Sequence, residues 1–384
     1  MILFTDKNLK EVVMSGSVYG KNFVISTWGE SHGEALGACV DGCPSGVEIS
    51  REYIQGFLNR RKPGQSEFTT ARAEGDEVRI LSGIFRGITT GTPIAMIIEN
   101  KDQHSKDYSE LEQVYRPGHA DYSFSEKFKI RDHRGGGRSS GRETAGRVAA
   151  GAIASKVLSE LGISVRAYSK RIGPIEIDEK KFDFDEIGRN PFCMPDKEAA
   201  IRAADHVRDL KSQGQSTGGI IECQVEGIKP GIGEPVFDKL DAALAKAVFS
   251  IGAVKGFEIG AGFAVAGMKG IDNNDQFAGG KGEKEIVKLT NNSGGTLGGM
   301  SDGDKLIFRA AIKPTPSVSA GQKTVNTSGE EIDLVVKGRH DPVIVPRAVV
   351  VVESMAAITI LDLIMQDMSS QISYLKKYYD SKGK

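Results

Sequence analysis

Four cysteines, one tryptophan and no block of like charges in 384 residues remove several classes of protein from consideration. Cys39 and Cys43 are spaced C-x3-C, but no second Cys/His pair follows, and Cys193 and Cys223 stand alone. No metal site is expected, only free thiols in a reducing cytoplasm. The basic excess of a general nucleic-acid binder is missing too. Lys plus Arg number 50 and Asp plus Glu 51, a net charge of −1, which is too little to neutralise phosphates along a face. Long apolar runs are also scarce. The most apolar stretch, Ala348 to Met365, is broken by Glu353 and Asp362 and falls short of the ~20 nearly uncharged residues of a membrane span. A buried helix is expected there. Met1 to Lys10 carries lysines but no apolar core of signal-peptide length, so the expectation is a cytoplasmic protein with neither nucleic acid nor membrane as partner. Neither standard nucleotide loop occurs: G-x-x-x-x-G-K-[ST] is absent, and no G-x-G-x-x-G follows a strand.

Glycine, by contrast, is abundant, at 47 of 384 residues against a usual share of roughly 7%. The chain therefore needs tight turns and close backbone approaches. Strand-like runs are Phe23 to Thr27, Ala35 to Val40, Val78 to Leu81, Pro93 to Ile98, Ile220 to Val225, Leu306 to Ile312 and Ile332 to Val336, several alternating apolar with polar. Expected helices are Arg51 to Arg61, Gly141 to Leu161, Asp196 to Ser212, Pro235 to Phe249 and Arg347 to about Met368. Half-polar strands cover a core with one face only, so an α+β layered fold is expected, as one domain over 1–384. The stretch Gly270 to Asp304 is rich in Gly and Asn and poor in apolar residues; it reads as a long loop, either a functional lid or disordered.

The most informative segment is RDHRGGGRSSGRETAGR, Arg131 to Arg147. Ser140 and Glu143 fit a capping box that starts a helix at Gly141. Its first turn would offer unpaired N–H groups and the positive dipole end, joined by Arg138, Arg142, Ser139 and Ser140. Two readings are open, an anion site or a basic loop salt-bridged to neighbouring acids. Three glycines cost entropy that a plain surface loop would not need, which favours the anion site. Behind the cap, Ala145, Gly146, Ala149, Ala150, Gly151, Ala152 and Ala154 suit a closely packed, rigid support.

Five further clusters carry chemistry or turns. In Trp28-Gly29-Glu30-Ser31-His32-Gly33, a histidine at a strand end is either poised for acid–base work or a satisfied structural group. Arg116-Pro117-Gly118-His119-Ala120-Asp121 places Arg and His around a turn, where Asp121 either orients the imidazole or closes the turn. Arg60-Arg61-Lys62 ends a helix, where cations offset the negative dipole end. Gly338-Arg339-His340-Asp341-Pro342 reads as a helix-entry turn, and Lys313-Pro314-Thr315-Pro316-Ser317 as a turn or a grip on a phosphate.

Taken together, GESHG (29–33), RRKPGQS (60–66), RPGHADY (116–122), RGGGRSSGRETAGRVAAGAIA (134–154), FSIGAVKG (249–256), KPTPS (313–317) and GRHDP (338–342) resemble the chorismate synthase family in order and spacing, over essentially the whole chain after Gly16. The resemblance implies a β-α-β sandwich with helices between antiparallel sheets, assembled as a homotetramer. It implies an anti 1,4-elimination of phosphate from 5-enolpyruvylshikimate 3-phosphate to give chorismate, requiring reduced FMN (FMNH2) without net redox change. An external flavin reductase would supply the reduced cofactor. Substrate contacts are implied at His32, Arg61, Arg116, Ser140, Arg142 and Arg339. Flavin contacts are implied at Arg138, Ser139, Ser140, Gly252, Ala253, Gly298, Lys313, Pro314, Thr315, Pro316, Ser317 and Arg339, with 270–304 as a flavin-side loop. Catalytic roles fall on His32 as proton donor to the departing phosphate, His119 as donor to the flavin N1 region and Asp341 at flavin N5, supported by Ser31 and Ser140. This chain departs from the pattern at Glu67, where some members carry an arginine that Arg72 would replace, at Gly141, where alanine is common, and in an N-terminal extension over 1–16. The rival readings are a flavin-dependent NADPH oxidoreductase, which the missing dinucleotide fingerprint disfavours, and a phosphate- or RNA-binding module, which the charge balance and the few aromatics near the arginines disfavour.

Overall fold

The computed structural model describes residues 16–69, 75–101, 111–280, 286–336 and 341–382. In chain order they form β1 (Val18–Tyr19), β2 (Val24–Gly29), β3 (Ala35–Asp41), α1 (Arg51–Arg61), β4 (Val78–Ile80), the hairpin of β5 (Ile84–Phe85) and β6 (Ile88–Thr89), β7 (Ile94–Glu99), α2 (Asp121–Phe128) and α3 (Thr144–Glu160). There follow β8 (Ser164–Ile172), β9 (Ile175–Glu176), α4 (Lys197–Ser212), β10 (Gly219–Glu226), α5 (Leu240–Phe249), β11 (Val254–Ile259) and α6 (Gly270–Asn273). The rest is β12 (Phe277–Gly279), β13 (Ile286–Lys288), β14 (Thr296–Leu297), β15 (Met300–Ser301), β16 (Leu306–Ile312), β17 (Gln322–Val325), β18 (Glu331–Leu334), α7 (Val345–Asp367) and α8 (Ile372–Ser381).

Two five-stranded antiparallel sheets, ordered β1-β2-β3-β7-β4 and β11-β16-β10-β8-β9, enclose α3 and α7. Helix α3 lies against β3, β2 and β7 of the first sheet, and α7 against β8 and β10 of the second; α3 and α7 pack on each other. This is the expected layering of helices between antiparallel sheets. In β16 every second residue is buried, the pattern of a strand that faces the core on one side only.

The small residues of α3 set the spacing of the layers. A Cβ on Gly151 would fall 2.2 Å from the Ser354 Cβ, and one on Gly146 2.8 Å from the Gly37 carbonyl oxygen. Glycine at both places lets α3 touch α7 on one side and β3 on the other. Helix α7 passes the length and composition test for a membrane span, with mean hydropathy 2.1 over its most apolar window, but 83% of that window is buried inside the protein. Its two interrupting carboxylates have internal partners. Glu353 accepts both Arg60 Nη atoms at 2.6 and 2.9 Å and the Ala167 N–H at 3.1 Å. Asp362 Oδ1 accepts the N–H groups of Lys21, Asn22 and Phe23 at 2.9, 2.7 and 2.9 Å, fixing the chain just ahead of β2.

Two expectations are corrected. The described part of the Gly270 to Asp304 stretch is not one long loop: it contains α6 and the paired strands β12–β13 and β14–β15. Its anchor is buried charge, with Lys288 Nζ 2.6 Å from Asp302 and 3.5 Å from Asp275, while Asp275 also accepts the Asn292 and Ser293 N–H groups. Helix α3 starts at Thr144 after a 3-10 turn over Gly141–Glu143. The N-terminal extension as far as residue 15 lies outside the described residues.

Candidate active site

The turn after β2 holds Ser31 and His32, both buried, with Ser31 Oγ 3.0 Å from His32 Nδ1. Gly135, first of the three consecutive glycines, lies directly against this pair. A Cβ there would stand 2.3 Å from His32 Nδ1 and 2.8 Å from Ser31 Oγ, so only glycine lets the backbone approach the ring. Asn100, just past β7, ties the turn down by donating to the carbonyls of Glu30 at 3.0 Å and Gly33 at 2.8 Å.

Ser140 does cap the turn that leads into α3, accepting the Arg142 N–H at 3.2 Å. The reciprocal half of a capping box is not formed. Glu143 instead accepts from Thr27 Oγ1 at 3.0 Å and Arg147 Nε at 2.9 Å, because a strand and the next helical turn offer it closer donors. Arg138 donates to the Gly29 carbonyl at 3.1 Å and Thr27 Oγ1 at 2.7 Å, and Ser139 Oγ donates to the Gly136 carbonyl at 2.6 Å. The glycine-serine segment is thereby stitched onto the end of β2.

Below it lies a cationic group organised by a residue that the sequence reading missed. Asp76, whose side chain is fully buried, accepts Arg61 Nε and Nη2 on one oxygen at 2.9 and 2.7 Å and Arg142 Nη1 on the other. Arg61 Nη1 also donates to the Gly141 carbonyl at 3.0 Å, and Arg142 Nε to Asn100 Oδ1 at 2.8 Å. Two guanidiniums and one carboxylate leave one positive charge. Burial lowers Arg61 to about 10, which leaves it cationic at neutral pH. Burial pushes the Asp76 carboxyl up, but the guanidiniums of Arg61 and Arg142 outweigh it and hold the group below the usual carboxylate range. Asp76 has a φ of 46°, a left-handed conformation that aspartate tolerates better than most residues.

Arg116 is buried in a bidentate pair with Asp121, Nε to Oδ2 at 2.7 Å and Nη2 to Oδ1 at 2.8 Å, with Arg131 3.3 Å from the same carboxylate. Of the two roles open to Asp121, it takes the one that closes the turn. The His119 ring is held elsewhere, Nδ1 3.0 Å from the Pro117 carbonyl and Nε2 2.9 Å from Ser317 Oγ. A carbonyl only accepts, so in the neutral ring Nδ1 carries the proton and Nε2 accepts from the serine hydroxyl. Burial, then the nearby Arg116, push the His119 pKa down.

Segments far apart in sequence converge around His119. The Lys313 N–H donates to the Ala253 carbonyl at 2.9 Å, Lys313 Nζ donates to the Gly118 carbonyl at 2.8 Å, and Gly118 abuts Pro316. A Cβ on Gly252 would stand 3.9 Å from the Ser139 carbonyl oxygen. Thr315 donates nothing: its Oγ1 is buried with no hydrogen-bond partner among the described residues. Gly298 turns the β14–β15 hairpin, and the contacts of that turn run to Met300, Lys239 and Glu234 rather than to this group. Asp341 Oδ2 lies 2.6 Å from Arg347 Nη1. Arg339 and Arg72 lie outside the described residues, and Glu67 pairs with Arg208 at 2.8 Å.

The family model described as chorismate synthase matches residues 23–365. A chorismate synthase of Lachnoclostridium phytofermentans is 60% identical over 366 residues, 95% of this chain and 100% of that protein. One of Lachnospira eligens is 61% identical over the same shares. A crystal structure of chorismate synthase superposes with TM-score 0.74 at 30% identity, covering 95% of this chain and 98% of that one. The chain belongs to the chorismate synthase family. It is an enzyme of aromatic biosynthesis in the shikimate pathway, a lyase that forms chorismate.

Proposed function

We propose that the chain forms chorismate by anti 1,4-elimination of phosphate from 5-enolpyruvylshikimate 3-phosphate, with reduced FMN held against the loops at 252–253 and 313–317. The observation that carries the cofactor is Thr315, whose buried Oγ1 lacks a partner among the described residues where several backbone turns converge. A buried hydroxyl without a partner costs about 1–3 kcal/mol, a cost that a flavin oxygen or phosphate would relieve. Lys313, Ser317, Ser139, Gly252 and Ala253 border the same place and fit a ligand with both a flat ring and an anionic end. Arg138, Pro314, Pro316 and Arg339 complete the proposed cofactor contacts, while Gly298 stands on a separate turn. When bound, the reduced flavin lends electron density transiently and is not consumed.

The substrate carries a phosphate and two carboxylates. Arg61, Arg116, Arg142 and Arg339 meet these anions, with His32 and Ser140, and the single surplus charge of the Arg61–Asp76–Arg142 group draws one of them inward. His32, steadied by Ser31, gives a proton to the departing phosphate. His119, whose Nε2 faces Ser317, holds the proton for the flavin N1 side, and bound anions raise its pKa from its lowered starting point. Asp341 takes the proton at flavin N5, with Ser31 and Ser140 supporting the relay. The protein works as a homotetramer in the cytoplasm, and a separate reductase supplies the flavin, since the sequence carries no dinucleotide fingerprint of its own.

An anaerobic assay with the enolpyruvyl substrate, with and without reduced flavin, tests this reading. Chorismate should form only with reduced flavin and over many turnovers per flavin. One flavin oxidised, or one NADPH consumed, per product would replace it with an oxidoreductase.

A further inference from the structure

Arg347 stands at the third position of α7, the 23-residue helix Val345–Asp367, whose first turn contains no acidic residue. A cation there opposes the positive end of the helix dipole, an unfavourable placement. The side chain is nevertheless four-fifths buried, at 19% exposure, and ordered by two partners. Its Nη1 donates to Asp341 Oδ2 at 2.6 Å, and its Nε to the main-chain carbonyl of Arg61 at 3.0 Å. Arg61 is the last residue of α1, where helical carbonyls lack intrahelical partners and the dipole favours a cation. One rigid fork therefore ties the Asp341 carboxylate to the end of α1. On that residue's other side, the Arg61 guanidinium reaches Asp76 and, through it, Arg142.

We infer that Arg347 is a positioning residue: it fixes the Asp341 carboxylate in the place where that group meets the cofactor, in register with the substrate-facing arginines. This deepens the proposed function and rests on the reading of Asp341 as the group acting at flavin N5. An ammonium could supply the charge but not both contacts, because lysine is a point donor on a flexible stem whereas guanidinium presents its N–H groups in a fixed plane. Misplacing a reacting group by about 1 Å can cost ~10²-fold, so the orienting contact matters more than the charge alone.

The test is a cycle of Arg347→Gln, Asp341→Asn and the double variant, with Arg347→Lys alongside. Arg347→Gln should lower turnover by ~10- to 100-fold while oxidised FMN and substrate still bind within about threefold, as read by flavin fluorescence and substrate titration. The double variant should be no slower than Asp341→Asn, since the arginine then has nothing to position. Arg347→Lys should fall between wild type and glutamine; if glutamine does not fold, lysine at wild-type turnover overturns the inference and lysine at a clear loss upholds it. In a crystal structure of the flavin-free glutamine variant, the Asp341 side chain should leave the position it has here. An unmoved Asp341, losses that multiply in the double variant, or a loss of binding with turnover intact would each overturn the inference. If Asp341→Asn is slow but Arg347→Gln is not, only the positioning role fails. If Asp341→Asn keeps near-normal turnover, the reading of Asp341 fails first.

Discussion

At the scale of single residues, the hydrogen on the Cα of Gly135 decides whether His32 can stand where it does. A methyl group at 2.3 Å from Nδ1 has to displace the ring, and the ring sits in a buried pocket with Ser31. Gly135→Ala should therefore cut turnover by ~10²-fold or more, the scale of one proton-transfer contribution, with a much smaller effect on oxidised-flavin binding; equal losses in both would assign Gly135 to the fold alone. Asp76 poses the opposite problem, a charge that cannot be removed cheaply. Asp76→Asn leaves two buried guanidiniums sharing a neutral amide, and urea unfolding should show a loss of about 3–5 kcal/mol; a loss under 1 kcal/mol would mean that water reaches the pair. His119 gives a pH signature. Its folded pKa lies below the unfolded value of about 6.5, so as pH falls through that value the unfolded chain takes up a proton that the folded one refuses, and stability drops. The fall in stability from pH 6.5 toward pH 5 in the flavin-free protein should be shallower in His119→Asn, measured by urea midpoints at each pH. Much of this site was legible because its motifs are runs of adjacent residues: Ser31-His32, Gly135-Gly136-Gly137 and Ser139-Ser140 announce themselves. Asp76 and Arg347 were not, since each acts through partners that only folding supplies, the latter across 286 positions to Arg61.

Among the elements, α3 shows how composition becomes geometry. Replacing a solvent-facing helical glycine with alanine gains about 1 kcal/mol in backbone entropy. At Gly151 the new methyl would lie 2.2 Å from Ser354 Cβ and 2.6 Å from its Cα, both on a packed helix that cannot retreat. Overpacking of that kind costs ~1–3 kcal/mol, so the steric term wins and Gly151→Ala should lower the melting temperature; a rise would show that α3 and α7 can separate without penalty. Helices α1 and α4 and strand β16 are where the sequence pattern puts them, because apolar spacing and caps such as Asp196, which accepts the Glu198 and Ala199 N–H groups, are local signals. Strand β8 escaped that reading although it is nine residues long and lies within the second sheet. Its Lys170 is neutralised by Glu179 at 2.6 Å and by Glu222 at 3.0 Å on the neighbouring β10, and the second of these partners, which makes a charged strand tolerable inside the sheet, lies 52 positions along the chain. The Gly270 to Asp304 stretch misled for the same reason, since Lys288 inserted between Asp275 and Asp302 does the work that apolar residues do elsewhere.

For the molecule as a whole, the balanced charge, 50 cations against 51 anions, hides how unevenly apolar surface is distributed. Between residues 236 and 297 the chain exposes Val236, Phe237, Phe263, Ile271, Phe277, Ile286 and Leu289, with Phe237 at 90% and Phe263 at 79%. Scattered apolar residues are normal on a surface, but large ones this exposed in one stretch of the chain are candidates for contact with another protein. The homotetramer proposed above gives them a partner, a second copy of the chain, and the net charge of −1 offers little self-repulsion to oppose it. Two consequences can be measured. The melting temperature should rise with protein concentration, because assembly stabilises the folded state by mass action. Sedimentation of wild type at micromolar concentration should give a tetramer, and Phe237→Glu with Phe263→Glu should shift it to smaller species whose far-UV dichroism is unchanged, since neither side chain contributes to the buried core. A monomer that keeps full turnover at all concentrations would remove the tetramer from the proposed function while leaving the chemistry of the site untouched.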